Sequence, residues 1–182
     1  MLPADAVDPG GEGGSPLPLR LLDGATQGMN VAGTVLILCL MLLIGADVTG
    51  RNLFNSPING VPELVTLSIV AIVFLQAPQA LRSGRFPRSD ALQPIFERLA
   101  PRCAKLLLDI FDLAGAIVTG VIVFATWPIL KKAFERGEFI GALGDFTAPV
   151  WPVKLIVLTG SLVLALQFIA SIVRRHSGEL IT

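Results

Sequence analysis

The residues able to do chemistry in this 182-residue sequence are few: two cysteines, one histidine and 14 carboxylates, balanced by 14 Lys and Arg. Asp109 and Asp112 are the strongest pair, because i, i+3 spacing puts both on one helix face inside an apolar stretch. An embedded acidic pair can hold a metal or relay protons, but no second cluster of acids, His or Asn stands elsewhere at ligand spacing. The structural alternative makes them the edge of a membrane helix, favoured by its positive N-terminal end and paired with Lys105 or a loop arginine. Cys39 falls in the middle of one apolar run and Cys103 near the end of another, so the two read as small packing residues and not as a redox pair. His176 lies beyond the last apolar run, which excludes haem held by histidine pairs inside a bundle. Asp47 and Glu63 sit at run ends, so the first two runs lack the mid-bilayer acid that a small proton-coupled exporter needs. A lipid-modifying enzyme would need metal-binding acids or a nucleophile–base pair, and neither stands out. The reading is therefore not an enzyme, with no cofactor and no metal site on this chain.

The elements that must position these groups follow from composition. Hydrophobic residues make up 53% and charged residues 15%, with mean hydropathy +0.72; soluble domains carry about 25% charge, so this chain belongs in lipid. A net charge of zero gives no footprint for nucleic acid. Four apolar runs predict spans at about Gly28–Ala46, Leu64–Leu81, Leu106–Leu130 and Val153–Val173, each near the ~20 residues that a ~30 Å hydrocarbon core requires. No barrel-type alternation is present, and backbone groups in lipid must pair internally, so the spans are helices. The expected fold is an all-α polytopic membrane protein: a flexible tail over 1–24, one four-helix domain over 25–176 and a short tail over 177–182. The N-terminal stretch is acidic and rich in Gly and Pro, without the charged start and apolar core of a signal peptide.

Orientation follows from the short connections. Nine Lys and Arg fall on the side of Arg20, Arg82, Arg102 and Arg174, and five on the side of Arg51, Lys131, Lys132, Arg136 and Lys154, which places both termini and the middle loop in the cytoplasm. The basic outer segment Lys131–Glu138 is an objection to that assignment. Trp127 and Trp151 bracket it, as indoles do at a membrane interface. The middle loop carries DALQPIFERLAPR, where Asp90 is placed to cap and Leu92, Ile95, Phe96 and Leu99 share a face. This predicts a short amphipathic interfacial helix over about 89–101, ended by Pro101, with an irregular solvated loop as the alternative. Gly28 with Ala32, Ala116 with Gly120, and Ser161 with Ala165 have the four-residue spacing of close helix contacts, serving either this chain or another subunit. Gln76, Gln79 and Gln167 stand ready to hydrogen-bond across helices.

The stretch from Asp47 to Leu92, with Val48-Thr49-Gly50-Arg51, the turn Asn55-Ser56-Pro57-Ile58-Asn59-Gly60, Glu63 opening the second span and Asp90 closing an Arg/Gly-rich segment, resembles the small Q-type (DctQ-like) membrane subunit of tripartite ATP-independent periplasmic (TRAP) transporters. The outer loop and last span, with Pro149-Val150-Trp151-Pro152-Val153-Lys154, are similar as well. Phe86-Pro87-Arg88-Ser89-Asp90 departs from the His-hydrophobic-basic stretch of many members.

The resemblance implies a small permease subunit in the bacterial inner membrane. Its partners would be a large membrane permease carrying the transport and sodium sites, a periplasmic substrate-binding protein and membrane lipid. The assembled system would import an organic acid, of dicarboxylate or sugar-acid type, on a sodium gradient. Matching residues Arg51 and Glu63 would form an ion pair across the outer hairpin, and Asp90 would cap the interfacial helix or meet Arg85 or Arg88; ordinary interface charge is the alternative for all three. Without the resemblance, a four-helix accessory subunit of another membrane complex remains open.

Overall fold

The computed structural model describes residues 17–84, 101–142 and 146–176. Helix α1 (Leu17–Phe54) has 38 residues, about 57 Å at 1.5 Å per residue, well beyond the ~30 Å hydrocarbon core. It starts inside the stretch expected to be a flexible tail, so residues 17–24 are corrected to helix. The physical reason is tertiary: Asp23 is held by arginines from two other helices.

Helix α2 (Val61–Arg82) follows a tight turn. Gly60 supplies the left-handed N-cap at φ 84°, Pro62 occupies a first-turn position where no N–H is needed, and Glu63 sits at the positive end of the helix dipole. Pro78 lies inside α2 and is itself buried. Helix α3 (Pro101–Arg136) begins at the proline expected to end the preceding segment. An antiparallel hairpin follows, β1 (Phe139–Ala142) pairing with β2 (Phe146–Pro149) in the register Phe139↔Pro149 to Ala142↔Phe146. Helix α4 (Trp151–His176) closes the chain. The four predicted spans lie within α1, α2, α3 and α4 in order. The hairpin was not anticipated, because FIGA and FTAP are too short and apolar to separate from a span entry by periodicity. Asp90 and most of the interfacial helix predicted over 89–101 lie outside the described residues.

The helices pack as a row with α4 and α2 in the centre: α4 lies against α3 and α2, α2 against α1, and α1 touches α4 lightly. Burial of the most apolar stretch reaches 39% in α4 but 6% in α3, so α3 is an outer helix. Leu81, Leu164 and Phe168 form the core, with Ala77 and Ala116 against it. Glycine sets the close approaches. A Cβ at Gly160 would lie 2.5 Å from the Phe74 carbonyl oxygen, one at Gly115 2.5 Å from the Phe168 ring, and one at Gly33 2.8 Å from Gln76. Of the small residues singled out by spacing, Gly28 and Gly120 face open space instead. Ser161 is fully buried and Ala116 packs against the core, so the four-residue spacing found packing residues in α4 and α3 but also open positions at Gly28 and Gly120, since in an all-apolar helix several faces carry it.

Candidate functional site

The last turn of α4 presents Arg174, Arg175 and His176 to the starts of α1 and α3 and the end of α2. Antiparallel connections bring these four helix ends together, which we call the clamp end. Arg174 donates to both carboxylate oxygens of Asp23, at 2.7 and 2.8 Å. Arg82 Nε approaches the same carboxylate at 3.3 Å. The buried Gln167 side-chain amide donates to Asp23 at 3.3 Å and to Thr26 Oγ1 at 2.8 Å, while Thr26 donates in turn to the Leu22 carbonyl at 2.8 Å. One acid on α1 thus gathers groups from α2 and α4.

Arg175 performs the matching task for α3. Its guanidinium donates to Asp109 and, at 2.6 Å, to Asp112, which is 1% exposed. His176 Nε2 lies 3.7 Å from Asp109. The two aspartates share one helix face as their spacing predicted. Among the described residues, the partner they meet is Arg175, more than 60 positions along the chain; the side chains of Lys105 and the loop arginines, the partners expected from sequence, lie outside the described residues. No local pattern reports that pairing; the signal available was the Arg-Arg-His cluster ending the last span. Among the described residues, the carboxylates of Asp23, Asp109 and Asp112 meet the guanidiniums of Arg82, Arg174 and Arg175 at this end, and a guanidinium stays protonated at any working pH. Such a cluster joins α1, α2 and α4 through Asp23, and α3 and α4 through Arg175. Among the described residues, no group of three or more His, Cys, Asp or Glu comes together as a metal site.

At the opposite, hairpin end, Asp47 organises the α1–α2 turn. It accepts the Ile58 backbone N–H at 2.9 Å and a hydrogen bond from Arg51 at 3.1 Å. The expected Arg51–Glu63 ion pair is thereby corrected: among the described residues, the carboxylate paired with Arg51 is Asp47, one helical turn earlier. Proximity explains it, since i, i+4 neighbours meet without ordering a second segment. Arg51 and Glu63 do share the lining of a hollow of about 230 Å³, together with Pro57, Asn59, Gly60 and Phe146. Lys154 donates to Glu138 at 2.5 Å, and the Val150 N–H donates to the Glu138 carbonyl at 3.1 Å, tying the hairpin to α4.

Trp151 meets Phe134 edge to face, with ring centroids 5.9 Å apart. Trp127 and Trp151 line one groove between α3 and α4 at this end. Cys39 is exposed on α1. The outward faces of the two outer helices are apolar along much of their length, from Leu21 through Leu42 to Phe54 on α1 and from Ile110 through Val121 to Phe124 on α3. Exposed threonines on α1, Thr34 and Thr49, donate to their own helix at the i−4 carbonyl, so they present no unmet donor to lipid.

Over residues 40–178 the chain matches the protein family described as tripartite ATP-independent periplasmic transporters, DctQ component. No curated protein and no solved structure gives a match.

Proposed function

The chain belongs to the DctQ family of TRAP transporters, and from that premise we propose that it is the fixed scaffold on which a large membrane permease moves. As a member, it is a small permease subunit and a multi-pass inner-membrane protein with four helices able to span; the family is a transporter component and not an enzyme family. The finer reading adds three things. The large subunit carries the transport and sodium sites, a periplasmic binding protein delivers an organic acid at the hairpin end, and the clamp end with both termini faces the cytoplasm.

The observation that supports the scaffold reading is the division of labour between faces. Acids that could have served transport chemistry, Asp23, Asp109 and Asp112, are turned inward and joined to arginines. The outward faces of α1 and α3 are left long and apolar. Co-expression with the large permease subunit tests the reading. A stoichiometric complex is expected, and it should take up an organic acid into proteoliposomes only when sodium and the binding protein are both supplied. Transport by this chain alone, or a chain that never captures the large subunit, overturns it.

A further inference from the structure

The groove between α3 and α4 at the hairpin end has a cavity of about 560 Å³, within the ~300–1,000 Å³ of sites that bury a small ligand. Its walls are Trp127, Leu130, Phe134, Trp151 and Leu155, and its charged lip is Lys131 and Glu135. The two charges lie one helical turn apart at 3.8 Å and are both mostly exposed, so they form a loose pair open to other partners. The tryptophans place the groove at the depth where a membrane passes from hydrocarbon to headgroups. In the orientation proposed above, Lys131, Lys132, Arg136 and Lys154 also run against the usual bias of basic residues toward the cytoplasm. Glu138 accounts for Lys154; a phosphate group at the lip would account for Lys131.

We propose that this groove holds one phospholipid with a primary-ammonium headgroup: an acyl chain lies among the aromatic walls, the phosphate meets Lys131 and the ammonium meets Glu135. The paired opposite charges select this occupant. A purely anionic headgroup would face the Glu135 carboxylate, and a quaternary headgroup would offer it no hydrogen-bond donor. Only the argument from charge bias rests on the proposed orientation; the shape and chemistry of the groove do not.

The test uses the full chain, with whatever subunits accompany it, in vesicles containing phosphatidylethanolamine that carries a photoactivatable group on its acyl chain. After irradiation, label is expected in the segments 127–135 and 151–155. Lys131→Gln should lower it by about fivefold, the loss expected for one basic residue beside a lipid phosphate. Glu135→Gln should bring labelling by an ethanolamine probe down to that by a glycerol-headgroup probe. Both variants change exposed side chains, and unchanged circular dichroism checks their folding. Even labelling of all four helices, no response to Lys131→Gln, or equal labelling of the unaltered chain by the two headgroups overturns the proposal. Loss of the label only when the large subunit is bound also overturns it, because the groove is then a protein contact. None of these outcomes bears on whether the large subunit binds at all, so the scaffold reading is judged separately.

Discussion

Two carboxylates of α3 converge on the guanidinium of Arg175, and its side chain is largely buried. Removing one partner of a buried pair strands charge in a medium that solvates it poorly, so Arg175→Ala should lower the stability of the purified chain by roughly 3 kcal/mol. Thermal unfolding in detergent measures this, and Arg175→Lys should restore only part of it, since an ammonium cannot fork between Asp109 and Asp112. At the hairpin end, Asp47 and Glu63 separate two roles. Asp47 satisfies a backbone N–H of the turn, so Asp47→Ala should destabilise the isolated chain by about 1–3 kcal/mol. Glu63 stands in the hollow beside Arg51, and Glu63→Ala should leave the melting of the isolated chain unchanged while reducing recovery of the complex with the large subunit. Equal effects of both substitutions on melting would count against that division.

Helices in lipid gain nothing from hiding apolar surface from one another, so close packing and polar links must hold the row together. The α2–α4 crossing shows how. Pro78 has no N–H, which deprives the Phe74 carbonyl of its helical donor, and that carbonyl lies where a side chain at Gly160 would have to go. Gly160→Ala should therefore force the two helices apart and cost about 1–3 kcal/mol, read as a lower unfolding temperature. Gly120→Ala, on the face of α3 where nothing lies within 4 Å, should be neutral or slightly stabilising, as alanine for glycine is in an open helix. If the two glycines respond alike, the crossing is looser than the geometry describes. The hairpin belongs to the same scale: a two-stranded ribbon is marginal alone, and the Glu138–Lys154 link together with Phe146 against Gly60 fastens it to α4 and to the α1–α2 turn.

The whole molecule is fastened at both ends by charge and left apolar on its outer flanks. Phe124 on α3 is 85% exposed, and Leu42 on α1 is also well exposed. A photo-crosslinking residue at one of these two positions should join the large subunit in the assembled transporter, while the same residue at buried Leu164 should not. Failure at both outer positions would remove the interface that the scaffold reading needs.

Composition, the four apolar runs and the order of Arg51, the Asn/Pro/Gly turn and Glu63 were enough to read a four-span membrane subunit of this family from the sequence, because hydrophobic length and turn residues are local properties. The i, i+3 spacing likewise revealed that Asp109 and Asp112 share a face. What the sequence left undecided was partnership. Arg175 as a partner of the aspartates, Asp47 rather than Glu63 for Arg51, Gly115 and Gly160 rather than Gly28 and Gly120 for close packing, and an ordered helix from Leu17 through Asp23 all depend on which faces meet. In a chain whose spans are apolar on every side, periodicity cannot mark the inward face. Only the tertiary arrangement, by bringing helix ends distant in sequence to one place, decides which charges neutralise one another and which surface stays open for a partner.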